Sequence, residues 1–180
     1  PHKAGKTRVD LFPVNACGCE VTVALKDAEG NVVAEGKADA QAHTTVKLDV
    51  ANPHLWHSMD DPYLYTCEAA IVKDGETLDT VTVNYGYRSF HVDPERGFFL
   101  NGKSYPLHGV SRHQDKLDKG WAISKEDHEI DAALIKEIGA NTIRLAHYQH
   151  DQYFYDICDR EGFVLWAEIP FISQFINTKD

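Results

Sequence analysis

Along the first half of the chain, hydrophobic and polar residues alternate with the period of two that a half-buried strand imposes. From Glu20 to Lys26 the residues Val21, Val23 and Leu25 share one face. A turn over Asp27-Ala28-Glu29-Gly30-Asn31 leads to a short strand around Val32 to Lys37, and the alternation returns at Thr45 to Val50 through Val46, Leu48 and Val50. Tyr63 to Lys73 is a longer strand with Tyr63, Tyr65, Cys67, Ala69 and Ile71 on one side. Asp74-Gly75 predicts a two-residue hairpin, because both central positions of a type I′ turn require positive φ. The return strand carries Val81, Val83, Tyr85 and Tyr87. Five or six short strands without a helix predict an all-β, immunoglobulin-like sandwich over residues 1–95.

The period then changes. A second hairpin turns at Asn101-Gly102, and a short strand follows at Leu107 to Val110. Ser124 is a good N-cap with Asp127 three residues on, and the helix it opens runs to about Ile138, with Ile130, Ala133, Leu134 and Ile138 expected on its buried face. Asp127, Glu129 and Asp131 read as its solvated face. Asn141 to Leu145 is the next strand. A second helix from about Asp151 to Glu161 packs Phe154, Ile157 and Cys158, Gly162 caps it, and Phe163 to Trp166 is a third strand. This βαβαβ run with short connections predicts a parallel sheet, the N-terminal part of a (β/α)8 barrel over residues 96–180. Three strands and two helices do not close a barrel, so the chain is expected to be a fragment: a sandwich followed by the opening of a barrel.

Composition narrows the class of partner. The 180 residues hold 18 Lys plus Arg against 28 Asp plus Glu, a net charge of -10, which argues against nucleic acid or an anionic membrane as a partner. No apolar run is long enough to cross a bilayer as a helix, and Pro1 to Lys6 has no leader-like apolar stretch. The acidic balance is compatible with cytoplasm or periplasm. Cys17, Cys19, Cys67 and Cys158 lack the spacing and neighbours of a zinc site and read as free thiols.

In a (β/α)8 barrel the chemistry sits at the C-terminal ends of the strands. That rule selects three stretches: Val110-Ser111-Arg112-His113-Gln114-Asp115, Arg144-Leu145-Ala146-His147-Tyr148 and Trp166-Ala167-Glu168-Ile169-Pro170. His113, Arg144, His147 and Glu168 can converge on one mouth, where imidazole and guanidinium suit hydroxyl and carboxylate partners, and Trp166 can stack on a sugar ring. Each has a plainer reading: His113 as a loop residue, His147 bonded to backbone, Glu168 as acceptor for Arg144, and Trp166 as core. Trp56 and Tyr63 read as sandwich packing.

The stretches Asn101-Gly102-Lys103, His108 to Asp115 and Gly139 to Tyr148 resemble the family 2 glycoside hydrolases, the β-galactosidases in particular. Asn52-Pro53-His54-Leu55-Trp56, Asp61-Pro62-Tyr63-Leu64-Tyr65 and Tyr85-Gly86-Tyr87-Arg88 resemble that family's sandwich domain. The resemblance implies a parent enzyme that cleaves a terminal β-linked sugar with retention, using two glutamates near the ends of the fourth and seventh barrel strands. Both are expected outside this chain, so no catalytic residue is assigned within it and the chain alone is expected to be inactive. The resemblance also implies that His113 lines the sugar subsite, that His147 bonds sugar hydroxyls and that Arg144 orients the catalytic acids. Some relatives bind magnesium just beyond the third strand. Ile169-Pro170-Phe171-Ile172-Ser173 offers no matching ligands, so neither metal nor cofactor is expected. The expected substrate is a β-galactoside or related oligosaccharide. A β-glucuronidase or β-mannosidase parent is the alternative within the class, and a carbohydrate-binding or scaffolding sandwich module the alternative outside it. Apolar surface left by the partial barrel is expected to promote self-association.

Overall fold

A computed structural model describes residues 4–171. They divide into two compact units, one running up to Trp56 and resuming over Tyr63–Ser89, the other combining His57–Pro62 with the chain from Phe90 onward.

The first unit is a sandwich. Strands β1 (Ala4–Leu11) and β4 (Thr44–Ala51) pair antiparallel. A second antiparallel sheet has the order β3-β2-β5-β6, from β2 (Glu20–Lys26), β3 (Val32–Asp39), β5 (Tyr65–Lys73) and β6 (Glu76–Tyr85). Its core is the set the alternation selects: Val21, Val23, Leu25, Val46, Leu48, Val50, Tyr65, Cys67 and Ala69, with Tyr87. Tyr87 keeps its hydroxyl satisfied at Thr7 Oγ1 (2.6 Å), and the Tyr65 hydroxyl accepts from the His54 amide (2.8 Å), so both rings are buried without an orphaned polar atom. Trp56 is also buried, and the Arg88 guanidinium lies 4.9 Å from its ring centre. Asp74 and Gly75 turn the β5–β6 hairpin at φ 52° and 83°. On β6, Val81 and Val83 sit in register with buried Ala69 and Cys67, yet they are 57% and 54% exposed. They lie on the apolar face of an edge strand, where the two-stranded sheet leaves them uncovered.

The second unit opens with the antiparallel sheet β7 (Phe90–Asp93), β8 (Gly97–Leu100) and β9 (Lys103–Ser104). The parallel sheet β10-β11-β12 follows, from β10 (Gly109–Arg112), β11 (Thr142–Leu145) and β12 (Val164–Ala167), connected by helices α1 (Lys125–Glu137) and α2 (Gln152–Glu161). One face of the sheet is sealed by the helices: Ile143, Leu145, Phe154, Ile157 and Cys158 are fully buried, and burial pushes the Cys158 thiol well above its ordinary pKa. The four cysteines are free thiols. The opposite face carries Ser111, Arg144 and Trp166, side by side in register. Gly162 ends α2 at φ 88°, and a Cβ there would lie 2.5 Å from the Ser58 carbonyl. Ser58 belongs to a 3-10 turn (Ser58–Asp60) that docks on this end of α2 through Ser58 Oγ and the Gly162 carbonyl, with Met59 against the apolar core.

Helix α1 departs from its expected orientation. Ile130, Leu134 and Ile138 are 49%, 55% and 68% exposed and Ala133 is exposed too, while Asp127, His128, Ala132 and Ile135 face inward. Asp127 and Asp131, expected on a solvated face, take cationic partners instead: Lys116 and Lys119 at 2.7 Å each for Asp127, and Arg112 at 2.8 Å for Asp131. The inward acids are tolerated because their lone pairs are filled.

Candidate functional site

Each parallel strand ends in a loop, and the three loops meet on one side of the sheet. Arg144, on β11, donates from Nε to Glu168 Oε1 (2.8 Å) and from Nη2 to Oε2 (3.3 Å), a two-point grip that the planar guanidinium suits. Glu168 follows β12. His147 Nδ1 lies 3.2 Å from Glu168 Oε2 and 3.0 Å from Arg144 Nη2, so this nitrogen either donates to the carboxylate or accepts from the guanidinium, according to tautomer. His113, after β10, sets its ring 5.2 Å from that of His147 at an interplanar angle of 75°. Four of the five residues singled out in the sequence therefore form one cluster. The plainer reading of Glu168, as acceptor for Arg144, describes the contact observed. The fifth, Trp166, is 68% exposed on the sheet face beside Arg144.

The cluster has a wider frame that the sequence reading passed over. The Tyr148 hydroxyl accepts from the Gln114 amide (3.1 Å) and lies 3.5 Å from His113 Nδ1, and Trp121 packs on the Tyr148 ring at 4.9 Å. Gln149 donates to the Glu168 carbonyl at 3.0 Å. Tyr148 ends one of the stretches the strand-end rule selects, though the rule alone gives it no role, and Trp121 lies farther along the loop that holds His113. The loop bearing Trp121 is stiffened by the Lys116 and Lys119 pairs with Asp127 and by the capping box in which Ser124 and Asp127 satisfy each other's backbone amides.

Electrostatically the site is anchored on one ionised carboxylate. Arg144 first, and then His147, hold Glu168 below the ordinary carboxylate range. An acid that must protonate a leaving oxygen needs its pKa raised, so Glu168 is built as a charged acceptor rather than a proton donor. Among the described residues no group of three or more His, Cys, Asp or Glu side chains could hold a metal ion. Ile172 and Ser173, part of the stretch on which the no-metal expectation rests, lie outside the described residues.

Donors, acceptors and exposed aromatic rings thus gather at the C-terminal ends of three parallel strands, the place where enzymes of the (β/α)8 class carry their chemistry. Comparison with known families makes the class definite: residues 6–88 match the model "Glycosyl hydrolases family 2" and residues 91–179 match "Glycosyl hydrolases family 2, TIM barrel domain". The chain belongs to glycoside hydrolase family 2. It is 47% identical over 137 residues to a β-glucuronidase of Bacteroides fragilis, covering 76% of this chain and 20% of the relative, and 36% identical over 154 residues to the β-galactosidase BoGH2A of Bacteroides ovatus, covering 82% and 18%. Among solved structures, the FMN-binding β-glucuronidase from Facaelibacterium prausnitzii L2-6 superimposes with a TM-score of 0.85 at 50% identity, over 90% of this chain and 25% of that one. A putative β-galactosidase from Bacteroides fragilis gives 0.86 at 34%, over 94% and 27%. The chain thus spans about a fifth of the length of these curated relatives.

Proposed function

We propose that the chain supplies part of the sugar-binding wall of a longer retaining β-glycosidase. The observation that carries this reading is the cluster of Arg144, His147 and Glu168, with His113 beside it, at the C-terminal ends of three parallel strands. In that enzyme His113 and His147 bond sugar hydroxyls, Arg144 and Glu168 fix one another and the His147 ring, and Trp121 or Trp166 offers an apolar face to the pyranose. Retention requires a second pair of groups, an acid and a nucleophilic carboxylate about 5–5.5 Å apart. Glu168, held ionised by two donors, does not suit the acid role, and from the family resemblance both the acid and the nucleophile are assigned to residues outside this chain.

For the glycone, the sequence motifs point to a β-galactoside, whereas the identities of 47% and 50% to β-glucuronidases favour a β-glucuronide. We take the glucuronide as the first reading and the galactoside as the second. A carbohydrate-binding sandwich module has less support. Tyr65 and Tyr87 are buried, and one groove of the sandwich, of about 330 Å³, is lined largely by aliphatic residues such as Leu11, Val14, Ile71 and Val81, with Phe12 as its one aromatic ring, rather than by a flat aromatic platform.

The test is release of p-nitrophenol from the β-D-glucuronide, β-D-galactoside and β-D-mannoside by the longer protein and by the 180-residue chain. Cleavage of the glucuronide by the longer protein alone supports the first reading, and preference for the galactoside moves the assignment to the second. Hydrolysis by the 180-residue chain overturns the placement of the catalytic carboxylates.

A further inference from the structure

Beneath the site lies a buried polar hub that the proposed chemistry does not use. Arg112 is 5% exposed, and all three of its guanidinium nitrogens are hydrogen-bonded. Nε and Nη2 donate to Asp131 Oδ2 (2.9 and 2.8 Å), Nη2 donates to His128 Nδ1 (3.0 Å), Nη1 donates to His150 Nδ1 (3.1 Å), and the Phe154 ring centre lies 3.9 Å from Cζ. His150 Nε2 in turn reaches the Ala146 carbonyl at 3.2 Å, while the Ala146 amide donates to the Arg112 carbonyl at 3.0 Å. The bonds close a ring from Arg112 through His150 to Ala146 and back to Arg112. Ala146 directly precedes His147, and His113 directly follows Arg112.

We propose that Arg112 is the positioning residue of the sugar site: its guanidinium, acting through His150, holds the Ala146 carbonyl while its own main-chain carbonyl takes the Ala146 amide, and together these bonds fix the segment that projects His147 and Tyr148. The proposal rests on reading His113 and His147 as sugar-binding groups, but the clamp itself is a separate claim. An arginine can only donate, so the ring demands one proton arrangement: Nδ1 bare and Nε2 protonated on His150, and Nδ1 bare on His128. A proton added to either ring would sit against the guanidinium and break its bond. His128 also faces Asp127, Asp131 and Asp151, and His150 faces His113 and His128; burial, with the Arg112 charge beside them, lowers the pKa of both rings nonetheless.

Side-chain nitrogen NMR of the 180-residue chain tests the clamp without any substrate. The expected result is a neutral His150 ring with its proton on Nε2, persisting below the ordinary value of 6.5. A His150 proton on Nδ1, or titration at the ordinary value, overturns the proposal. His150→Phe removes both ring bonds, and Arg112→Lys keeps the charge but cannot span Asp131, His128 and His150. Either variant should shift the His147 resonances while leaving those of the sandwich in place, and unchanged His147 resonances in either folded variant overturn the clamp. In the longer protein, His150→Phe should lower kcat/KM about 100-fold through misplacement of His147. His150→Gln offers an oxygen to Arg112 and an N–H to Ala146 without titrating, so it should stay near the wild-type rate at neutral pH with its acid limb moved to lower pH. Wild-type activity in His150→Phe counts against the clamp. If the longer protein cleaves no glycoside at all, the functional reading fails and the NMR result still decides the clamp.

Discussion

The sandwich and the barrel segment use the same strand alternation for different ends. In the sandwich, apart from the edge strand β6, one face of each sheet meets an apolar partner, so position in the pattern decides burial and Val21, Val23 and Leu25 are each 1% exposed or less. In the barrel segment only the helix side of the parallel sheet is apolar and sealed. The other face presents Ser111, Arg144 and Trp166, and the strand ends carry the chemistry. The sandwich is thus specified by hydrophobic burial, while the barrel segment adds a buried ionic layer, Arg112 with Asp131, His128 and His150, between its core and its site. A hydrophobic core tolerates repacking, but a polar network loses its function when one bond is unmet.

The comparison can be broken where it is sharpest. Phe154→Ala removes a fully buried ring that also floors the Arg112 guanidinium, and should cost about 3–5 kcal/mol of barrel-unit stability, read by denaturant unfolding, while displacing the histidine resonances of the hub. Leu25→Ala, equally buried in the sandwich, should cost about 2–5 kcal/mol and leave the His113, His147 and His150 resonances in place. Loss of those resonances in Leu25→Ala would show that the two cores are not separate. Gly162→Ala forces a side chain into the left-handed region and onto the Ser58 backbone, for a loss of about 1–3 kcal/mol, again confined to the barrel unit. Val81→Thr, on the uncovered face of β6, should stay within about 0.5 kcal/mol of wild type.

Acid separates the units in the same direction. His128 and His150 resist protonation in the folded chain, so below 6.5 the unfolded chain takes up protons first. The stability contributed by the neutral pair is complete above that pH and is lost as pH falls toward the depressed folded values. Thermal melts from neutral to mildly acid pH should show this loss, and His150→Gln should reduce it.

Local rules carried much of the fold. The hairpins at Asp74-Gly75 and Asn101-Gly102 turn at positive φ in both residues, and α2 takes the caps Asp151 and Gly162 and buries Phe154, Ile157 and Cys158. These features depend on neighbours close in sequence, so pattern suffices. Helix α1 shows where pattern fails. Its apolar stripe of Ile130, Leu134 and Ile138 lies outward while its acids Asp127 and Asp131 meet Lys116, Lys119 and Arg112, partners that belong to other elements. Likewise nothing local to Ser58 announces its bond to Gly162, more than a hundred residues away. At the site, the strand-end rule found the residues that face the mouth but not the Arg112 layer beneath them, because a buried arginine in a motif reads as one more polar loop residue. The outward stripe of α1 is the surface on which we expect the 180-residue chain to self-associate. Light scattering showing a strict monomer would count against that.

The central claim is that the cluster at the ends of the three parallel strands binds the sugar undergoing cleavage, and the most direct measurement is kcat/KM of the longer protein carrying His147→Ala, on whichever β-glycoside the wild type cleaves. The account predicts a fall of about 100-fold or more at an unchanged melting temperature, since a donor that tightens on developing charge is removed from an intact scaffold. Wild-type kcat/KM in that variant would contradict it.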